Sequence, residues 1–130
     1  MQKIGEICHL QVQTASLKAG DRLNRTYDPA PLRSVPILYL EPAGASAPAV
    51  DGAWVDVHNA SHPASKNRDG INALSFNFAG HYAQMQERFG PHLAPGIAGE
   101  NILIDAPDLF TLSDLAGALA IQPAAGQLLL

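Results

Sequence analysis

Short alternating or β-branched segments, separated by turn residues, constrain the fold of this chain more than any other feature. The candidate strands are residues 2–14 and the stretches "RSVPILYLEP", "AWVDVHN", "INALSFNF" and "NILID". These segments do not alternate regularly with helices, as they would in a parallel α/β protein. The sequence therefore predicts a mainly β fold, mostly antiparallel and barrel-like or sandwich-like, with one or two helices against it.

The one convincing helical pattern is "AGHYAQMQERFG", residues 79–90. Tyr82, Met85 and Phe89 recur at i, i+3 and i+7, which predicts a single apolar stripe. Gly90 follows at a position where a left-handed backbone costs glycine little. The sequence predicts that the helix ends at this glycine.

Proline and small residues indicate where the predicted strands are interrupted. Pro36 lacks an N–H, so the strand in "RSVPILYLEP" is expected at a sheet edge or after the proline. The small residues of "AGASAPAVDG", residues 43–52, predict a flexible loop. At the other end, "GALAIQPAAGQLLL" reads as a weak strand, a turn and three leucines, typical of a strand separated from its partner. This ending favours a truncated chain and pairing with a second copy as a homodimer.

Size and composition predict one globular domain over residues 1–130. Apolar residues make up 47% of the chain and charged residues 15%, and the net charge of −4 argues against a nucleic-acid partner. No apolar run reaches the ~18 residues of a membrane span, and the start does not resemble a signal peptide. The single cysteine, Cys8, cannot form an internal disulfide. These features favour a cytoplasmic protein without a membrane partner.

Asp56 and His58 are the first candidate pair. Alternation in "AWVDVHN" puts both side chains on one strand face, about 7 Å apart at Cα. A carboxylate there could orient the imidazole and raise its pKa. A polar strand face turned toward water has the same pattern, so both interpretations stay open.

The loop that follows contains two cations, Lys66 and Arg68, in "HPASKNRDG". Arginine presents a planar fork that suits an oxyanion such as phosphate, sulfate or molybdate. An ordinary solvated hairpin would look the same. His58 and His62 are spaced like zinc ligands on a helix, but Pro63 indicates a loop, and no cysteine or carboxylate lies at ligand spacing. We therefore predict no metal site, and a hydrolase using these histidines and His81 is the weakest interpretation.

The stretch "PGIAGENILI" concentrates glycine in front of Glu100 and Asn101. Backbone N–H groups around Gly96 to Gly99 could point at an anion, as in a backbone nest. Alternatively, the glycines only permit the path of a loop whose own amides are bound by Glu100 and Asn101. The residues alone do not separate these two interpretations.

Together, three stretches in order resemble the MOSC domain, the C-terminal domain of molybdenum cofactor sulfurases, which also occurs as small bacterial proteins. "WVDVHNASHPASKNRDGINALSF" resembles the family's Asp-x-His strand, arginine-bearing loop and following strand, and "HYAQMQERFG" resembles its helix. "PGIAGENILI" is similar to the family's Pro-Gly-x-x-Gly-Glu-Asn stretch, the most specific of the three. The resemblance covers about residues 54–105.

The resemblance implies a MOSC-type β-barrel-like fold, incomplete at the C-terminus, and a pocket for the molybdenum cofactor (molybdopterin) or a sulfur-bearing or oxidised small molecule. It also implies binding of molybdenum ion and pyridoxal phosphate, sulfur carriage or reduction of N-hydroxylated compounds, and a redox partner or molybdoenzyme. Glu100 is expected to be structural and to accept backbone N–H bonds. The implied cofactor-binding residues are Asp56, His58, Lys66, Arg68, Gly99, Glu100 and Asn101.

The chain departs from the family pattern at the sulfur-carrying cysteine. The family places this cysteine near the C-terminal end, whereas Cys8 lies in the first strand. A persulfide carrier requires a thiolate. Two functions therefore stay open: a MOSC enzyme, or a binding module that keeps the pocket without catalysis. The sequence assigns no catalytic residue.

Overall fold

The computed structural model describes residues 2–117 and 119–122, and it is mainly β with one helix. The fold class predicted from the sequence is therefore confirmed. The strands are β1 (Glu6–Gln13), β2 (Lys18–Ala19), β3 (Thr26–Tyr27), β4 (Leu32–Ser34), β5 (Tyr39–Glu41), β6 (Gly44–Ala49), β7 (Gly52–Val55), β8 (Phe76–Phe78) and β9 (Ile102–Asp105), and the helix is α1 (Ala79–Phe89).

The described strands form three sheets. A four-stranded sheet has the order β4-β1-β9-β8, a three-stranded sheet the order β5-β6-β7, and β2 pairs with β3. All pairs are antiparallel except β8 with β9. The MOSC-type closure of these sheets into a barrel stays a prediction.

One β-α-β unit interrupts the antiparallel pattern. β8 leads directly into α1, and the chain returns as β9, which runs parallel to β8. The helix occupies the predicted residues, but its stripe is only partly buried: Tyr82 is inside, and Phe89 is 65% exposed. Gly90 follows with φ +112° and ψ 166°, so its φ is positive, although its backbone is not left-handed helical.

The core lies between the four-stranded and three-stranded sheets. Val12 of β1, Val35 and Ala47 of β6 are buried there, and Leu10, Leu38 and Trp54 pack against them. At the start of β6 a small residue is needed, because the backbone of Gly44 runs close to Asn59. A Cβ on Gly44 would lie 2.8 Å from the Cα of Asn59.

The prediction of a flexible loop over residues 43–52 was wrong. β6 is the central strand of its sheet, and Ala45 and Ala47 are fully buried. Pro48 is tolerated because β5 pairs only with the stretch Gly44–Ser46, so at the proline β6 has a partner, β7, on one side only. Packing against the core overrides the low strand propensity of glycine and alanine here.

Pro36 divides its segment as expected. β4 ends before the proline and β5 begins after it, and each is an edge strand of its own sheet. Two other predicted strands are shorter than their patterns, because β7 ends at Val55 and β8 begins only at Phe76. Of the predicted C-terminal strand, residues 119–122 are not in a strand, and residues 123–130 lie outside the described residues.

Within the described residues, no helix is both long and apolar enough to cross a membrane.

Candidate functional site

Asp56 is the centre of the candidate site, and it is fully buried. It directly follows β7, where the chain leaves the sheet and turns. Its Oδ2 accepts hydrogen bonds from the Gln13 amide (2.8 Å) and from Asn101 Nδ2 (2.7 Å). Its Oδ1 accepts from the His58 amide and lies 2.9 Å from His58 Nδ1. Each carboxylate oxygen therefore has two partners, which offsets the cost of burying its charge.

Asp56 and His58 do meet, but the geometry differs from the prediction. The expected shared strand face is wrong, since the strand ends at Val55. The two side chains come together in a turn, where the His58 amide donates to the carboxylate two residues before it. Aspartate favours such turns because its short side chain can bind a nearby backbone amide.

The pKa values of Asp56 and His58 are both shifted toward the charged forms. Burial alone would raise the pKa of Asp56, but hydrogen bonds from His58, Gln13 and Asn101 together hold that pKa below its usual range. The hydrogen bond to Asp56 raises the pKa of His58, although partial burial opposes the effect. The His58 side chain is 48% exposed, and its Nε2 has no hydrogen bond within the described residues. The raised pKa of His58 therefore favours the protonated ring, whose Nε2–H has no partner among the described residues.

Asn101 brings the glycine-rich stretch to this pair. Its Nδ2 donates to Asp56 and to the Gln11 carbonyl (3.2 Å), and its Oδ1 accepts from the Ser75 amide (3.2 Å). The side chain is buried, so every one of these bonds is shielded from water. Two of the stretches singled out in the sequence, 45 residues apart, are thus joined by a direct hydrogen bond.

The glycines before Glu100 serve close packing against β1. Gly99 has φ +97°, and a Cβ there would lie 2.8 Å from Gln13 Oε1. Gln11 Nε2 donates to the carbonyls of Gly96 (2.7 Å) and Glu100 (2.8 Å). The described geometry therefore favours glycines that permit the path of the loop.

The amides of Ile97, Ala98 and Gly99 are not available to an anion. The amide of Gly99 donates to the Gly96 carbonyl, and the amide of Ile97 donates to the Ala94 carbonyl. The Ala98 amide donates to the hydroxyl of Tyr82 at 3.1 Å. Because all three N–H groups are already bound inside the protein, they do not point at a ligand.

Glu100 is held by side chains. Its Oε2 accepts from the Tyr82 hydroxyl at 2.5 Å and its Oε1 from Asn77 Nδ2 at 3.0 Å. Burial, followed by the bond to Glu100, raises the pKa of Tyr82 far above its ordinary value, so the hydroxyl keeps its proton. The expectation that Glu100 accepts backbone N–H bonds was wrong, because α1 and β8 supply the donors. The carboxylate ties the glycine-rich loop to that helix and strand.

Lys66 and Arg68 lie in the exposed loop after His58. Arg68 donates from Nη1 to the Ala60 carbonyl (3.1 Å) and from Nη2 to the Pro63 carbonyl (3.2 Å). Asn67 Nδ2 donates to the His58 carbonyl at 3.0 Å, which fastens this loop beside His58. Arg68 thus shapes the loop, whereas Lys66 has no hydrogen-bond partner in the described part of the chain.

His62 uses both ring nitrogens for local structure. Its Nδ1 accepts from the Ala64 amide at 3.0 Å, so Nε2 carries the proton and donates to the Thr14 carbonyl, also at 3.0 Å. Within residues 2–117 and 119–122, no three His, Cys, Asp or Glu side chains cluster as metal ligands would. The metal-hydrolase interpretation gains no support, because His62 has no free nitrogen.

We call the buried meeting of Asp56 and Asn101 the junction. Four polar residues in or beside it were missed in the sequence: Gln11, Gln13, Asn77 and Tyr82. Gln11 and Gln13 flank Val12 in β1, and both are buried. The pattern that could have revealed them is a pair of glutamines on one face of a core strand. Buried polar side chains need hydrogen-bond partners, so this pattern indicates a buried polar network. For Tyr82, the helical stripe indicated burial but not the hydroxyl's bond to Glu100.

Cys8 lies apart from this junction. It occupies the β-bulge where the β1–β9 register shifts between Ile7 and His9. The thiol is exposed and lies 3.5 Å from the Leu103 carbonyl. Partial desolvation, followed by the charge of Asp105, raises its pKa. At neutral pH this thiol therefore forms less thiolate than an unperturbed cysteine.

No family model, no curated protein and no solved structure matches this chain. The MOSC resemblance therefore stays a prediction, and the site is defined by its geometry alone. Of the two open clefts described on the surface, neither includes Asp56, His58 or Arg68.

Proposed function

We propose that this chain is a MOSC-type module that binds an anionic, phosphate-bearing small molecule of the molybdenum cofactor class. His58 is the principal anion contact, and the module does not itself carry sulfur. The observation that supports this proposal is the fixed Asp56–His58 pair. The buried carboxylate holds one ring nitrogen inward and leaves the other facing solvent.

The charge balance at His58 favours an anion. Asp56 raises the pKa of His58, so the ring is more often protonated near neutral pH than a free histidine. A protonated Nε2–H gives a charge-assisted hydrogen bond to an oxyanion, which is stronger than a neutral one. The carboxylate of Asp56 is fully buried, and its charge is stabilised by four hydrogen bonds inside the protein.

Lys66 supplies a second cation on the adjoining loop. The bond from Asn67 to the His58 carbonyl keeps that loop beside the histidine. In this proposal Arg68 acts indirectly, because its two terminal nitrogens already bind loop carbonyls. The donor set therefore fits a phosphate or oxomolybdate group, with His58 and Lys66 as its direct contacts. When bound, the molybdenum cofactor would supply a redox-active metal, and these residues would hold and orient its anionic part.

Cys8 does not suit sulfur transfer. It is the chain's single cysteine, and it lies five residues before Gln13 along β1, a separation of about 17 Å. Its raised pKa lowers the thiolate fraction on which nucleophilic attack depends. The geometry therefore favours the binding module over the sulfur carrier.

Calorimetry with the full chain tests the proposal. The ligands are sodium molybdate, pyridoxal phosphate and molybdenum cofactor released from a molybdoenzyme, titrated at pH about 6.5, near the ordinary pKa of histidine. We expect His58→Gln to weaken binding roughly tenfold, the loss of one charge-assisted bond. Affinity should also fall as pH rises through the pKa of His58, because the neutral ring loses its Nε2 proton.

His92→Gln is the matched control, since His92 is an exposed histidine outside the site. The proposal fails if the wild-type chain binds none of the three ligands. It also fails if His58→Gln and His92→Gln bind them equally well.

Thiol chemistry tests the second half of the proposal. After incubation with a cysteine desulfurase and cysteine, mass spectrometry should find no stoichiometric persulfide on Cys8. A persulfide that forms stoichiometrically and passes to an acceptor enzyme would show that the chain carries sulfur after all.

A further inference from the structure

The β2–β3 hairpin, residues 18–27, is a cationic projection on an otherwise acidic chain. Residues 15–34 contain four of the eight Lys and Arg side chains but only two of the twelve Asp and Glu side chains. Both of those carboxylates, Asp21 and Asp28, accept backbone amides. Lys18, Arg22 and Arg25 form no ion pair within the described residues. With three cations and one carboxylate, the hairpin therefore carries a net charge of +2.

Two hydrogen bonds fix the turn at the tip of the hairpin. Asp21 Oδ1 accepts from the amides of Leu23 (3.0 Å) and Asn24 (2.9 Å), which closes a tight turn. Leu23 projects from this turn and is 91% exposed, between Arg22 and Arg25. A preorganised turn loses little conformational freedom when it docks. An apolar side chain flanked by arginines has the composition of a protein-interface anchor.

A cleft of complementary character lies at the opposite end of β1. It has a volume of about 270 Å³ and is lined by Lys3, Ile4, Gly5, Glu6, Asp105 and Pro107. Lys3 pairs with Glu6, whereas Asp105 has no ion-pair partner among the described residues. The cleft is open to solvent, and Ile4 and Pro107 give it an apolar part that an aliphatic side chain can contact. We call this the Asp105 cleft.

The cleft and the base of the hairpin lie at opposite ends of β1. The cleft adjoins Glu6 at the start of β1, and the hairpin begins beyond Gln13 at its end. Eight residues of strand separate them by about 25 Å. Two copies placed antiparallel along β1 would bring each hairpin to the other's cleft, which is the reciprocal arrangement of a two-fold interface.

We propose that the β2–β3 hairpin docks into the Asp105 cleft of a second copy of this chain, with Leu23 in the cleft and Arg22 facing Asp105. This contact is independent of ligand binding at His58. A second copy fits better than an extended polyanion, because the remainder of the chain carries ten carboxylates against four cations. The excess of negative charge repels a nucleic acid or an anionic bilayer, because these partners would also face the acidic remainder of the chain. In the docked dimer, the negative charge of the cleft faces only the hairpin.

Sedimentation of the full chain over a range of concentrations tests the interface. We expect a dimer at low salt that weakens as ionic strength rises from about 0.05 M to about 0.5 M, because the contact depends on charge. Arg22→Glu and Asp105→Arg should each raise the dimer dissociation constant at least tenfold. An equimolar mixture of the two variants should regain dimerisation, because opposite charges then face each other at both contacts. Leu23→Ser should weaken the dimer without changing its salt dependence.

Arg88→Glu is the matched control, since it makes the same charge change on α1 and should leave the dimer intact. Thermal unfolding by circular dichroism establishes that each variant is folded. A wild-type chain that is monomeric at every concentration overturns the proposal, as does a mixture that stays monomeric. The proposal is also overturned if the chain is monomeric and binds phosphatidylserine vesicles only when Arg22 is present. That result would assign the hairpin to membrane binding.

Discussion

Two regions that the MOSC resemblance places in one site are built in different ways. The junction of Asp56 and Asn101 is buried, and its polar side chains are bound on several sides. The loop with Lys66 and Arg68 is exposed, and Arg68 binds carbonyls of that same loop. His58 belongs to both regions, since one ring nitrogen contacts Asp56 and the side chain is about half exposed. In the proposed function, the junction would hold His58 in position and the loop would supply the charge of Lys66.

The largest effect is expected at Asp56. Asp56→Ala leaves the Gln13 amide and the Asn101 side chain buried without their acceptor, so we expect unfolding to become easier by about 3–5 kcal/mol. Urea denaturation monitored by circular dichroism measures the change. Asp51→Ala, at an exposed turn residue, should change stability by less than ~0.5 kcal/mol. Equal losses for the two variants would show that the junction is not a structural centre.

The next largest loss of stability is expected at Gly99. Gly99→Ala combines a strained positive φ with a Cβ placed 2.8 Å from Gln13 Oε1 and 3.0 Å from Leu17 Cδ1, and both neighbours are buried. We expect a loss of about 2–4 kcal/mol. Gly52→Ala is the matched variant, because its φ is also positive but no atom lies within 4 Å of the added Cβ. It should lose only about 1–2 kcal/mol, and a larger loss at Gly52 would contradict close packing at Gly99.

The pH dependence of stability tests the shared residue, His58. The folded-state pKa of His58 is raised, so the protonated ring stabilises the fold fully below the unfolded pKa of about 6.5. This stabilisation is lost as pH rises through the folded-state pKa. Because the side chain is half exposed, the amplitude should stay below about 1 kcal/mol. Wild type and His58→Gln should therefore differ more at acidic than at alkaline pH, and a constant difference would exclude the linkage.

The smallest stability effect is expected in the loop. Arg68→Ala removes two exposed hydrogen bonds to carbonyls, and we expect a loss of no more than about 1 kcal/mol. Lys66→Ala should leave stability within ~0.5 kcal/mol. Hydrogen exchange of the amides around Ala64 should speed up in Arg68→Ala, since the guanidinium holds this segment. An Arg68→Ala loss as large as that of Asp56→Ala would remove the distinction between the two regions.

Local patterns in the sequence were enough to predict the fold class, the helix and the strand break at Pro36. Each of these depends on neighbouring residues: the i, i+3, i+7 recurrence of Tyr82, Met85 and Phe89, or the missing N–H of proline. The same patterns were misleading where packing overrides propensity. Residues 43–52 have the small side chains of a loop, yet Gly44 lies close to Asn59, and Ala45 and Ala47 are fully buried in the central strand of a sheet.

By itself, the sequence determined a mainly β chain with one or two helices and singled out Asp56, His58 and Asn101 as candidates. Only the tertiary structure decided that Asn101 binds Asp56, that Gln11 and Gln13 line the junction, and that Arg68 turns back onto its own loop. The physical reason is sequence separation. Periodicity reports which way a side chain faces along one element, whereas the contacts of Gln11, Gln13 and Asn101 span 43 to 89 residues and depend on which strands become neighbours in a sheet. Arg68 bonds carbonyls only five and eight residues away, but its loop has no periodic pattern that would predict this.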